Sequence, residues 1–192
     1  MTSLAERALR GALVFCLAAA WPVPARAAEP IVIGEINPLT GALALQGTTV
    51  HRGIVLAIEE QTVRGGIAGR NLLLLSRDDE GRPERAIGAA EELAGRSQAV
   101  ALIGGYVDSL VGPIAEVADR ARVPYLATAS LDERLTGRGN RYFFRVSSLA
   151  GYVRAMTGFV ESGLGARRVA VLYSPTPGAT QLARRQREAF EQ

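Results

Sequence analysis

Short, continuous runs of apolar residues alternate along this chain with segments of helical periodicity. The apolar runs predict six strands, at Ile31–Ile33, Leu72–Leu75, Val100–Ile103, Tyr125–Ala127, Tyr142–Val146 and Val169–Tyr173. Their apolar residues are consecutive and do not alternate with polar ones, which is typical of strands buried on both faces of a parallel sheet.

The segments between the runs repeat apolar residues every three or four positions. The clearest of them places Ile114, Val117, Ala118 and Ala121 on one side of a helix. Strands that alternate with helices in this way form right-handed crossovers. The sequence therefore predicts an α/β fold with a doubly wound parallel sheet, in which ligands bind at the carboxyl ends of the strands.

A long polar stretch, residues 128–141, interrupts the alternation before the fifth run. We interpret residues 28–146 as a first, complete lobe and residues 147–192 as the start of a second. The second lobe contains one strand–helix unit, and such a unit cannot bury both faces of a sheet. The pattern therefore predicts a truncated two-lobe protein.

Residues 1–27 have the three parts of a secretory signal peptide. Arg7 and Arg10 precede an apolar stretch, Gly11–Trp21, and the small-x-small triplet Ala25–Ala27 follows it. The apolar stretch is shorter than the ~20 residues that a membrane-spanning helix needs. The expected location of the mature protein is the periplasm, after cleavage near Ala27.

Composition and motifs argue against several function classes. The basic residues are not clustered as a nucleic-acid footprint would require, and the formal net charge is only +3. His51 is the only histidine and Cys16 the only cysteine, so we predict an exposed structural histidine, no metal site, no cofactor and no catalytic residues. Gly104–Gly112 lacks the Gly-Lys-Ser/Thr ending of a phosphate-binding loop. The acidic pair Asp78–Asp79 is predicted to form a turn.

The loop before the third helix has the features of an anion site. Because Pro113 has no N–H group, it is predicted to lie in the first helical turn. The N-cap then falls within Asp108–Gly112, with Ser109 the best-suited side chain. Ser109 either caps the helix or helps to bind a carboxylate at its N-terminus.

Motifs that recur in order along the chain resemble those of the type I periplasmic solute-binding proteins of the leucine/isoleucine/valine-binding family. They are Pro38–Gly41, Gly53, Gly65–Gly69, Asp78–Asp79 with Pro83 and Ala86, Ile103–Gly104 with Pro113, Val123–Tyr125, Leu135–Thr136 and Phe144–Arg145. The resemblance implies two lobes that close on a small solute. It also implies a monomer that delivers the solute to ABC permease subunits in the inner membrane. A sensory ligand-binding module on the same fold is the alternative function.

The resemblance also implies which loops form the pocket. The predicted ligand-binding residues are Gln46, Tyr106, Asp108, Ser109, Thr128, Ala129, Ser130 and Leu131. Family members often have Ser at the position of Asp108, Thr at that of Leu131 and an aromatic residue at that of Gly178. These departures leave the solute open among amino acids, amides and aromatic acids. Asp108 either faces the solute, which then offers a cation or a hydrogen-bond donor, or it caps a helix.

Overall fold

The structure, a computed structural model, describes residues 29–137 and 139–191. It contains a five-stranded parallel sheet in the order β2-β1-β3-β4-β5. The strands are β1 (Ile31–Asn37), β2 (Leu72–Asp78), β3 (Ala101–Gly104), β4 (Tyr125–Ala127) and β5 (Phe143–Arg145). This order is that of a doubly wound sheet whose switch point lies between β1 and β3. The predicted fold class and five of the six predicted strands are confirmed.

Helices follow the strands in the expected alternation. They are α1 (Ala44–Val63), α2 (Pro83–Glu91), α3 (Asp108–Ala121), the short α4 (Arg134–Gly137), α5 (Leu149–Gly158) and α6 (Pro177–Phe190). A 3₁₀ turn precedes α1, and π turns extend α2 and α5. Helix α1 packs on one face of the sheet, while α2 and α3 pack together on the other.

The core lies between the sheet and the α2–α3 face. Leu102, Tyr125 and Phe143 are neighbours across β3, β4 and β5, and all three are buried. Ile114 and Val117 of α3 belong to the same cluster. Apolar surface buried in this layer stabilises the fold by about 25 cal/mol per Å². Three residues of the helical stripe read from the sequence, Ile114, Val117 and Ala118, thus lie on the buried face of α3, whereas Ala121 at its end is exposed.

The opposite face of the sheet is covered unevenly. A row of neighbouring residues crosses it from Ser76 and Glu35 through Ile103 and Leu126 to Phe144. Helix α1 contacts β1 and β2. Leu126 and Phe144, at the far end of the row, remain 36% and 52% exposed.

The sixth predicted strand is wrong. Residues 169–173 are not part of a sheet, and Leu172 is 96% exposed. A β-strand requires a neighbour that takes up its N–H and C=O groups. Within the described ranges no strand pairs with this segment, so its apolar run alone does not produce one.

The predicted division of the chain remains a prediction. Residues 29–146 contain the whole five-stranded sheet, and the following residues form α5 and α6. The predicted signal peptide, residues 1–27, lies outside the described residues. Among the described helices, none has the length and apolar character required to cross a membrane.

Candidate functional site

Two consecutive glycines turn the chain sharply at the end of β3, next to the switch point. Gly104 and Gly105 have φ angles of +120° and +84°, a region that glycine enters without steric cost. The Gly105 N–H donates to Asn37 Oδ1 at 3.0 Å, and the Tyr125 hydroxyl donates to the Gly104 carbonyl at 3.1 Å. These bonds fix the start of the β3–α3 loop against both neighbouring strands.

A cavity of about 460 Å³ opens directly beyond this turn. It lies between the β3–α3 loop, the loop after β4 and the N-terminus of α6. Its lining residues are Tyr106, Val107, Asp108, Ser109, Ala129, Leu131, Tyr152, Thr176, Pro177, Ala179 and Leu182. Cavities of about 590 and 520 Å³ occur elsewhere, but both border Val169 and Val171 of the unpaired segment. The 460 Å³ cavity is the one at the carboxyl ends of the strands, where ligands bind in open α/β sheets.

Five of the eight predicted ligand-binding residues line this cavity, namely Tyr106, Asp108, Ser109, Ala129 and Leu131. The structure does not bring the other three, Gln46, Thr128 and Ser130, to its lining. Sequence reasoning missed Val107, Tyr152, Thr176, Pro177, Ala179 and Leu182. Four of these residues, at the start of α6, are distant from Asp108 in sequence, and a linear pattern does not show that they lie beside it.

Two of the three predicted residues outside the lining have other hydrogen-bond partners. The Thr128 hydroxyl donates to the Gly105 carbonyl at 3.0 Å, and the fully buried Ser130 donates to Asp108. Gln46 lies on α1, and its side-chain oxygen is buried without a hydrogen-bond partner. Contact of a solute with these three residues stays a prediction.

The Asp108 carboxylate accepts four hydrogen bonds from two other parts of the chain. Its Oδ1 accepts from Ser130 Oγ at 2.7 Å and from the N–H groups of Leu131 and Asp132 at 3.0 Å each. Its Oδ2 accepts from the Gly178 N–H at 3.0 Å. Because a carboxylate has about four lone-pair sites, these donors use nearly its whole capacity. Asp108 thus ties the loop after β4 and the start of α6 to the start of α3.

The predicted position of Pro113 and the predicted N-cap are wrong. Helix α3 begins at Asp108, its N-cap is Val107, and Pro113 lies inside the helix. Ser109 is therefore the second helical residue, and its exposed side chain borders the cavity without capping. A proline inside a helix removes the hydrogen bond to the carbonyl four residues earlier, here that of Ser109, and its ring crowds that carbonyl. The buried apolar stripe of α3 offsets that loss.

A second carboxylate, Asp132, joins the same loop to α6. It is 4% exposed and forms a bidentate ion pair with Arg134. It also accepts a hydrogen bond from Gln181 Nε2 at 2.7 Å. Gln181 Oε1 in turn accepts the Glu133 N–H at 3.2 Å. The hydrogen bonds from the Arg134 side chain lower the pKa of Asp132 to about 2. The loop after β4 is thus bonded to α6 at two successive turns of that helix.

Asp132 makes the stability of the protein depend on acid pH. Its pKa lies below the ordinary value of 3.8, so its contribution is complete above about pH 4 and is lost as the pH falls toward 2. We expect the wild type to lose about 2 kcal/mol from this group between pH 5 and pH 2. Urea unfolding at several pH values should show Asp132→Asn with a correspondingly smaller loss. The same loss of unfolding free energy between pH 5 and pH 2 in the two proteins would contradict the assignment.

The turn predicted at Asp78 and Asp79 is confirmed, and it also holds the β1 loop. Asp78 accepts from the Leu39 N–H at 2.8 Å and from the Thr40 hydroxyl at 2.5 Å. Burial raises the pKa of Asp78, but the hydrogen bonds from Thr40 and the backbone outweigh it and leave the pKa below its ordinary value. Burial raises the pKa of Asp79, whose Oδ1 accepts from the Gly81 N–H.

His51, predicted to be an exposed structural histidine, is only partly exposed. Its Nδ1 lies 2.7 Å from Oε2 of Glu35, and its side chain is 33% exposed. Glu35, on β1, is fully buried and also accepts from Asn37 Nδ2 at 2.8 Å and from Ser76 Oγ at 2.5 Å. His51 thus satisfies a buried carboxyl group from α1. Within the described ranges, no three His, Cys, Asp or Glu side chains are grouped to hold a metal ion.

Comparisons with known proteins identify relatives of this chain. An amino acid binding protein of Pseudomonas aeruginosa is 29% identical over 165 residues, which cover 85% of this chain and 44% of that protein. The crystal structure of an ABC transporter substrate-binding protein of Desulfitobacterium hafniense in complex with leucine is similar, with a TM-score of 0.72 and 26% identity. That match covers 85% of this chain and 48% of the other.

A third relative shares the fold at lower identity. It is the solute-binding protein of an ABC transporter from Rhodopseudomonas palustris, solved in complex with 3,4-dihydroxybenzoic acid, with a TM-score of 0.73 and 24% identity. The match covers 85% of this chain and 44% of that one. The chain therefore spans about half the length of the relatives that it matches.

The family model described as periplasmic binding protein matches residues 30–192, which is nearly all of the described chain. Its members are solute-binding proteins, and membership implies an extracytoplasmic location. The resemblance inferred from the ordered motifs is confirmed: the chain belongs to the periplasmic binding protein family.

Proposed function

We propose that this protein is the periplasmic, substrate-binding component of an ABC importer, made with the signal peptide of residues 1–27. It captures a small polar solute, an amino acid or a related compound, between two lobes. As a monomer, it then delivers the solute to permease subunits in the inner membrane. Two of the relatives named above support this role. One is an amino acid binding protein, and the other is an ABC transporter substrate-binding protein solved in complex with leucine.

The observation that carries the proposal is the position and make-up of the 460 Å³ cavity. It lies at the carboxyl ends of β3 and β4, and Thr176 and Pro177 at the start of α6 close its far side. Its walls are mostly apolar, with hydroxyl groups from Tyr106, Tyr152, Ser109 and Thr176. Small-molecule sites have this character, with an apolar body and a few polar groups that orient the ligand.

A thermal-shift screen against amino acids, amides and aromatic acids tests the proposal. A solute that binds only the folded protein stabilises it by about 2.7 kcal/mol at 100 times its Kd. We expect at least one such solute, and we expect Tyr106→Ala to weaken its binding by about tenfold or more in calorimetry. Tyr173→Ala is the matched control, because Tyr173 is 59% exposed and lies outside this cavity. A screen with no stabilising solute would contradict the proposal.

A further inference from the structure

The four donors around Asp108 form the kind of site that binds a carboxylate. Three are backbone N–H groups and the fourth is the hydroxyl of the buried Ser130. They come from the loop after β4 and from the start of α6. Hydrogen bonds from several backbone N–H groups to an ionised carboxylate are among the stronger ones in proteins. Here the carboxylate is supplied by the protein itself.

Gly178 makes this enclosure possible. Its N–H donates to Asp108 Oδ2 at 3.0 Å, and a Cβ built on Gly178 would overlap the same oxygen and press on Leu131 Cβ. Gly178 is itself buried. Any side chain at this position would therefore separate α6 from Asp108 and remove the fourth donor.

The rest of the cavity offers a solute carboxylate no replacement partner. Apart from Asp108, the residues that line the cavity carry no charged side chain. A solute carboxylate at this end would meet a resident anion whose donors are already taken. In a partly desolvated cleft, like charges in close contact are strongly unfavourable. Hydroxyl oxygens, by contrast, can accept hydrogen bonds from amide or amine groups.

We propose that Asp108 fills a carboxylate-binding site at the edge of its own cavity, so that the protein selects solutes that present an amide or amine there and rejects those that present a carboxylate. This inference rests on the proposed function, because it assumes that a small solute binds in this cavity. It goes beyond that function by naming the chemical class of the solute.

A matched pair of solutes tests the selectivity in the full chain. Leucine and leucinamide differ only in the exchange of a carboxylate for an amide. We expect calorimetry to show that the wild type binds leucinamide at least about tenfold more tightly than leucine. A preference for leucine would overturn the inference while supporting the proposed function. Binding of neither compound, together with an empty solute screen, would count against the proposed function instead.

Chemical rescue tests the resident carboxylate without any natural solute. Asp108→Ala leaves the four donors unpaired, and a free carboxylate can take its place. We expect about 100 mM acetate to raise the melting temperature of Asp108→Ala by about 4 °C relative to chloride, with little effect on the wild type. If the variant folds poorly, its refolding yield in acetate against chloride gives the same readout.

Asp119→Ala is the matched control for the rescue. Asp119 lies near the end of the same helix, and its Oδ1 accepts the neighbouring N–H groups of Arg141 and Tyr142. We expect acetate to leave this variant unchanged. Equal rescue of both variants, or of neither, would show that the donors around Asp108 do not form a carboxylate site. In Asp108→Ala, the preference should also turn toward leucine, and an unchanged preference for leucinamide would contradict the inference.

Discussion

Replacing Gly105 by alanine is expected to destabilise the protein by about 3 kcal/mol. Gly105 has a φ of +84°, and a Cβ at this position would overlap the Tyr125 hydroxyl and Val111 Cγ2. Tyr125 is fully buried and cannot move aside without losing its bond to the Gly104 carbonyl. Backbone strain and overpacking therefore act together at one site. Urea unfolding of wild type and variant measures the difference.

Gly53→Ala is the matched control for this substitution. Gly53 lies in the middle of α1, and a Cβ there meets no atom within 4 Å. In an exposed helix interior, alanine is favoured over glycine by about 1 kcal/mol. The same chemical change should thus raise stability at residue 53 and lower it at residue 105. Equal effects at the two positions would contradict the packing described for the β3–α3 turn.

The turn at Gly105 also connects stability with the site. Asp108 starts α3 three residues later, and Tyr106 and Val107 between them line the cavity. A displaced turn would move these residues relative to the loop after β4. We therefore expect any solute found in the screen to bind Gly105→Ala more weakly, even at temperatures where the variant remains folded.

Local patterns in the sequence were sufficient to predict the sheet. Strands β1 to β5 are the first five apolar runs, because strands buried on both faces need consecutive apolar residues. The run at Val169–Tyr173 has the same composition but remains unpaired. Apolar composition supports a strand only where a neighbour completes its hydrogen bonds, and a single run contains no information about that neighbour.

The site was only partly predictable for a related reason. The loops after β3 and β4 could be located because the carboxyl ends of parallel strands share one edge of the sheet. The bond between Asp108 and Gly178 joins residues 70 positions apart, and no periodicity indicates it. The sequence misplaces the start of α3, because Pro113 predicts a helix terminus, although this well-packed helix tolerates a proline inside it.

Glu35 and His51 show how one such long-range contact affects stability. Glu35 is fully buried on β1, and His51 Nδ1 contacts its carboxyl group from α1 at 2.7 Å. On the α1 face of the sheet, Asn37 and Ser76 also donate to Glu35, so a polar cluster lies beside the apolar contacts of this helix. A buried carboxyl group that loses its partner is costly, because water cannot replace that partner fully.

His51→Ala is therefore expected to cost about 3 kcal/mol of folding free energy, although His51 is itself partly exposed. In a Glu35→Gln background the same substitution should cost less than about 1 kcal/mol, since a neutral amide tolerates the loss. The glutamine can accept from Asn37 through Oε1 and donate to Ser76 through Nε2, so the remaining contacts of Glu35 are kept.

A double-mutant cycle from urea unfolding gives the coupling free energy between His51 and Glu35, expected to be about 2 kcal/mol. Arg52→Ala, at an exposed neighbouring position, is the control and should change stability by less than about 0.5 kcal/mol. Additive effects of His51→Ala and Glu35→Gln would mean that α1 is held by its apolar contacts alone.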